Sequence, residues 1–197
     1  MRLTDGPGGA FLFGDLISFR TVLTAALLAL PLAPLGAWDG ARENGGDSLF
    51  DVKTARQLIR QDAIEKFGPK AGHFRYDARM VRAAKIAEAR AQKHSVRRCW
   101  RYVKTALLEA DVIDSYPKTA YAKQAGDELT SQHGFRRLPI RDPFKAPIGS
   151  VLVYGGSGPG HVEIRTKDGF VSDFESPTPS RRPLIGVYVK PSKQGGG

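Results

Sequence analysis

The sequence predicts an α+β fold in which N-terminal helices pack on a small antiparallel β-sheet. Apolar residues recur at helical spacing from Leu49 to about Gln132. Beyond Gly134 the chain changes to short apolar runs separated by Pro and Gly, the pattern of strands and turns. Lys167-Asp168-Gly169 joins two of those runs as a hairpin turn. Helices followed by a meander make an α+β domain, because each amphipathic element must bury its apolar face against a second layer.

The elements follow in order. Residues 21–37, TVLTAALLALPLAPLGA, form an uncharged apolar stretch after Arg20 and before the polar WDGARENGGD. Residues 1–37 therefore read as a signal peptide or an N-terminal anchor, a buried core helix being the other reading; Pro31 and Pro34 make the stretch a poor spanning helix. Residues 38–76 read as a linker and helical extension, in which Leu49, Val52, Ala55, Leu58, Ile59 and Ile64 mark a helix to Phe67, stopped by Gly68-Pro69. The segment 77–191 carries the chemistry. Asp77 caps a second helix reaching about Gln92, with Met80, Val81, Ala84, Ile86 and Ala87 on its apolar side.

A third helix is expected from Ser95 to about Ala110, where Cys99, Tyr102, Val103, Ala106, Leu107 and Ala110 share one stripe and turn Cys99 inward. A fourth is expected from Thr119 to about Gln132, before the His133-Gly134 stop. Residues 150–154, 161–166, 169–174 and 184–189 read as strands, and 192–197 as a disordered tail.

Composition narrows the partners. The 197 residues carry 30 Lys plus Arg against 20 Asp plus Glu, a formal charge of +10 and a pI near 9.9. That excess favours anionic partners: nucleic acid, a membrane face or an acidic envelope polymer. Nine of the basic residues fall between Arg79 and Lys104, against Glu88 alone. Such a face could neutralise phosphates, but no zinc spacing, aromatic platform or nucleic-acid motif accompanies it, and nucleic acid is disfavoured as a partner.

The chemistry starts at Cys99, the only cysteine. A lone cysteine makes no internal disulfide, and an unpaired thiol in an exported chain invites oxidation unless it has a use. At a helix start, unsatisfied N–H groups and the nearby Arg97, Arg98 and Arg101 favour a thiolate, which still needs an imidazole in contact to act as a nucleophile. His161 suits that role best among the four histidines. It opens a strand directly after the Gly-rich GGSGPG loop, 62 residues beyond Cys99. His73, His94 and His133 fall in loops or at helix ends. Asp173 is expected to orient His161, because the hairpin brings it near the same sheet face, and Glu175 is the alternative.

These residues fall in a recognisable order. Cys99-Trp100-Arg101-Tyr102-Val103, Gly134-Phe135, Pro147-Ile148-Gly149-Ser150-Val151-Leu152-Val153-Tyr154, Gly160-His161-Val162-Glu163-Ile164 and Val171-Ser172-Asp173-Phe174 together resemble the CHAP and NlpC/P60 peptidoglycan cysteine hydrolases, over roughly Ser95 to Lys190. The resemblance implies a papain-like, NlpC/P60-type fold, with a helix-start cysteine packed on a sheet that bears the histidine. It implies Cys99 as nucleophile, His161 as general base and then acid, and Asp173 as orienting residue. The oxyanion would fall to the backbone N–H of Cys99, with Gln92, Tyr76 and Gly160 as further candidates for contacts with substrate or oxyanion.

The expected function is that of an exported, periplasmic or secreted, cysteine hydrolase that cuts an amide in peptidoglycan peptides. An N-acetylmuramoyl-L-alanine amidase or a secreted antibacterial effector with the same triad are alternatives, and a non-catalytic cell-wall or nucleic-acid binding module is a third. The partners are then peptidoglycan, anionic envelope polymers and, for an effector, a cognate inhibitor protein. No metal-ligand cluster is visible, and no cofactor is expected.

Overall fold

The computed structural model describes residues 50–192, which belong to one compact unit. The leader expected over 1–37 and the tail beyond residue 192 lie outside the described residues. Asp51 opens the first helix, α1 (Val52–Phe67), by accepting the N–H groups of Lys53 and Thr54, and Gly68 ends it at φ +85°. The second helix, α2 (Arg79–Arg90), follows Asp77, whose carboxylate accepts the Arg79 N–H at 3.0 Å and pairs with its guanidinium at 2.6 Å.

The third helix, α3 (Cys99–Glu109), begins four residues later than the apolar spacing suggests. Residues 95–98 are instead bent around the carboxylate of Asp173, described below. Its far end is a Schellman turn. Asp111 sits at φ +56°, its N–H donates to Leu108 O, and the Val112 N–H donates to Leu107 O, each at 3.0 Å. The fourth helix, α4 (Ala125–His133), also starts late, after a short 3₁₀ turn at Ala122–Gln124. The N–H groups of Lys118 and Thr119 donate to the Glu128 carboxylate, at 2.5 and 3.1 Å, a contact that continuous helix from 119 to 128, with a rise of about 13 Å, would not allow.

Six strands form a single antiparallel sheet in the order β1-β6-β2-β3-β4-β5. They are β1 (Arg136–Leu138), β2 (Val151–Tyr154), β3 (His161–Arg165), β4 (Phe170–Val171), β5 (Glu175–Ser176) and β6 (Leu184–Val189). Of the run expected over 169–174 only Phe170–Val171 is strand, β5 follows just beyond it, and β1 was not legible as a strand because two of its three residues are arginines.

Strand alternation divides the sheet into two faces. Val151, Val153, Val162 and Ile164 join Met80, Val103 and Leu107 in the main core under the helices. Leu152, Tyr154, Phe170 and Val187 form a smaller cluster with Ala146 on the other side. α1 adds Ala55 and Ile59 to the main core. Its Asp62 accepts the Ile148 N–H at 3.2 Å, and Lys66 donates to Ala146 O at 2.7 Å. Among the described residues, no helix is long and apolar enough to cross a membrane.

Candidate active site

Cys99 and His161 meet at the start of β3, an interior strand of the sheet. Cys99 is the first residue of α3 and half-buried against the core, and His161 is the first residue of β3. Both border an open cleft of about 650 Å³, together with Arg98, Trp100, Arg101, Ala120, Ala122, Gly160 and Arg182. The wall opposite α3 is held by α3 itself. Lys104 Nζ donates to Pro117 O at 2.8 Å and Thr119 O at 2.6 Å, and Trp100 Nε1 donates to Thr119 Oγ1 at 3.1 Å. Those bonds hold the segment that brings Ala120 and Ala122 to the cleft that Cys99 also borders.

The carboxylate beside His161 is Glu163. Its Oε2 lies 3.3 Å from His161 Nε2, and the glutamate side chain is only 5% exposed. With Nε2 turned to Glu163, Nδ1 is the nitrogen left to face Cys99. The other glutamate oxygen accepts the Tyr154 hydroxyl at 2.5 Å, and Tyr154 stands directly across the ladder from His161. Burial together with the Glu163 charge raises the Tyr154 phenol above its ordinary value, so it remains a donor. Burial alone would depress the His161 imidazole, but hydrogen bonding to Cys99 and Glu163 outweighs it and lifts the pKa to about 9.

Asp173 occupies a different place from the one expected. It is fully buried, and its Oδ2 accepts the N–H of Val96 at 2.7 Å, the N–H of Arg98 at 3.0 Å and the Ser95 hydroxyl at 3.2 Å. Its Oδ1 accepts the Ser172 hydroxyl at 3.1 Å. The reason is register. Ile164 faces Val171 and Arg165 faces Phe170, so the ladder, extended, sets Phe174 rather than Asp173 across from His161. Glu175 folds back on β4 and is exposed. Burial works against the ionised Asp173, yet the N–H groups of Arg98 and Val96 and the Ser172 hydroxyl hold its carboxyl below the ordinary value.

Asp173 thus shapes the approach to Cys99. Arg97 sits at φ +60°, a left-handed conformation costing a non-glycine residue roughly 1–2 kcal/mol. Hydrogen bonds to a charged acceptor contribute about 1.5–3 kcal/mol each, enough to hold the bend. The N-cap residue Arg98 makes no side-chain cap on α3, whose first turn begins with Cys99.

The remaining expected contacts fall elsewhere. The Tyr76 hydroxyl is buried on Ile148 O at 2.5 Å, away from the cleft. The Gln92 side chain is turned to Arg90 O at 3.1 Å, and its backbone N–H donates to Asp173 O. Gly160 does border the cleft, at φ +78°, but a Cβ there would meet Tyr154 O at 2.5 Å and Lys123 Cβ at 2.7 Å. Its close approach is to the protein's own backbone. His73 and His94 are away from the cleft, as is His133. Glu163 and Tyr154 escaped sequence reasoning. The signal was the His-x-Glu spacing in one strand, which puts both side chains on the same face. Among the described residues, no group of three or more His, Cys, Asp or Glu side chains could hold a metal ion.

No family model and no curated protein matches this chain. Two crystal structures of the type VI effector–immunity complex Tae3–Tai3 from Ralstonia pickettii do align with it. The native complex shares 24% identity over 56% of this chain and 98% of the matched chain, with a TM-score of 0.47. The selenomethionine form shares 26% over 55% and 99%, with a TM-score of 0.44.

Proposed function

We propose that this chain is an exported cysteine hydrolase that cleaves an amide bond in peptidoglycan peptides. The observation that carries the reading is the contact of Cys99 with an imidazole backed by the buried Glu163. The order of motifs around these residues supports peptidoglycan as substrate, and the uncharged stretch at 21–37 supports export.

In this reaction His161 takes the proton of the Cys99 thiol, and the thiolate attacks the amide carbonyl carbon. The carbonyl oxygen gains the negative charge and is met by the N–H groups at the start of α3. When the tetrahedral intermediate collapses, the C–N bond breaks and the imidazolium protonates the leaving amine. His161 then deprotonates a water that attacks the thioester, and collapse releases the carboxylic acid and restores the thiol. Glu163 accepts from His161 Nε2–H throughout and fixes the ring so that Nδ1 faces the sulfur. Asp173 acts one step away, by holding the 95–98 bend that delivers Cys99.

Digestion of purified sacculi by the wild type and by Cys99→Ala, followed by mass analysis of soluble fragments, tests the reading. Fragment release by the wild type alone is expected, with one new amine and one new carboxyl per cut. Equal release by both proteins would sink the thiol mechanism. Sugar-free peptides beginning at the first stem residue would identify the bond as that of an N-acetylmuramoyl amidase.

A further inference from the structure

The basic band resolves into two groups of residues with different employment. Arg79 is paired with Asp77 at 2.6 Å, Arg82 with Asp111 at 3.4 Å and Arg90 with Glu109 at 2.7 Å. Lys104 is buried on two carbonyls between the rings of Trp100 and Tyr116. Arg97, Arg98 and Arg101 have no carboxylate partner among the described residues, and all three border the cleft beside Cys99. Arg182 joins them from the segment before β6, steadied by donation from Nη1 to Ser157 O at 2.9 Å.

The cleft therefore carries four arginines and no carboxylate among its lining residues. The two nearby acids are already engaged: Asp173 by the 95–98 bend, Glu163 by His161 and Tyr154. Arg98 and Arg101 also border the hollow between α2 and α3, where Arg90 and Gln92 lie, so the basic strip continues past the cleft in that direction. Screening confines attraction to roughly 8–10 Å at physiological salt, so the residues that line the cleft contribute most to what a substrate at Cys99 feels.

We propose that Arg97, Arg98, Arg101 and Arg182 form a carboxylate-reading subsite, so that the scissile amide belongs to a peptide with free carboxylates beside the cut. Guanidinium groups present paired N–H donors matched to a carboxylate, and a carboxamide at the same position would remove the charge and set an N–H donor against them. This inference rests on the hydrolase reading, and it names the substrate chemistry that the same cleft selects.

The test uses one batch of sacculi in two forms, native and with carboxyl groups converted to carboxamides by carbodiimide and ammonium. Binding is read by co-sedimentation of Cys99→Ala, and cleavage by fragment release from the wild type. Native sacculi are expected to bind about tenfold more tightly and to be cut correspondingly faster. Arg97→Gln/Arg98→Gln/Arg101→Gln in the Cys99→Ala background is expected to lose the preference, and Lys85→Gln/Lys93→Gln to keep it. Circular dichroism of each variant establishes that the fold is retained, and Arg182→Gln alone gives a milder version of the same loss should the triple variant not fold. Equal binding to both forms overturns the inference, as does an equal loss in the lysine control. Preferential binding without any fragment release would instead overturn the hydrolase reading and leave the subsite standing.

Discussion

At His161 burial and hydrogen bonding pull in opposite directions, and Cys99 and Glu163 together decide the balance. Desolvation disfavours the imidazolium, while Cys99 and Glu163 favour it and bring the pKa to about 9. A group raised in this way contributes its stabilisation in full below its ordinary value near 6.5 and loses it as pH rises through about 9. Fragment release from sacculi is therefore expected to decline on the alkaline side at about pH 9, where the acid that protonates the leaving amine disappears. Glu163→Gln keeps the shape of the side chain and removes the charge. Its alkaline limb is expected to fall at a pH roughly one unit lower, read from the pH profile of kcat/KM. An unmoved limb would show that Glu163 does not orient or charge the histidine.

Between the residue and the fold stands the segment 95–98, a bend whose geometry depends on Asp173. Its three contacts to Oδ2 hold Arg97 in the left-handed region and set where α3 begins. Asp173→Ala leaves two partly buried N–H donors without their charged acceptor, and a loss of roughly 2 kcal/mol in urea unfolding is expected. Alkylation of Cys99 by iodoacetamide should slow as the released bend draws the thiol from the imidazole, while the alkaline limb near pH 9 stays in place, since His161 keeps Glu163. That separates a positioning aspartate from one on the histidine. The pH dependence has the opposite sign to that of His161. A carboxyl held below its ordinary value stabilises the fold above that value, and the contribution is lost as pH falls through the depressed one.

Across the whole molecule, α1 is fastened near its C-terminal end to the segment that leads into β2. Asp62 accepts the Ile148 N–H and pairs with Lys66 at 2.7 Å, and Lys66 reaches Ala146 O. Asp62→Ala strands a buried N–H and a largely buried ammonium, and a loss of about 3 kcal/mol is expected in thermal or urea unfolding. Because the tie lies away from the cleft residues, kcat/KM on sacculi should hold until the protein unfolds. Much of this architecture was legible beforehand: apolar periodicity placed the helices, and the Pro- and Gly-spaced runs placed β2, β3 and β6, because both patterns record which side chains must leave water. The starts of α3 and α4 were not legible, since each depends on a carboxylate that meets the backbone N–H groups of the preceding segment, Asp173 from far along the chain and Glu128 from within α4 itself. By itself the sequence determined the α+β class and singled out Cys99 and His161 as candidates, because a unique thiol and a histidine at a strand start leave few partners. Only the tertiary structure decided that Glu163 sits on the imidazole and Asp173 on the loop. Strand register and the path of residues 95–98 set which carboxylate meets which donor, and neither is written in spacing along the chain.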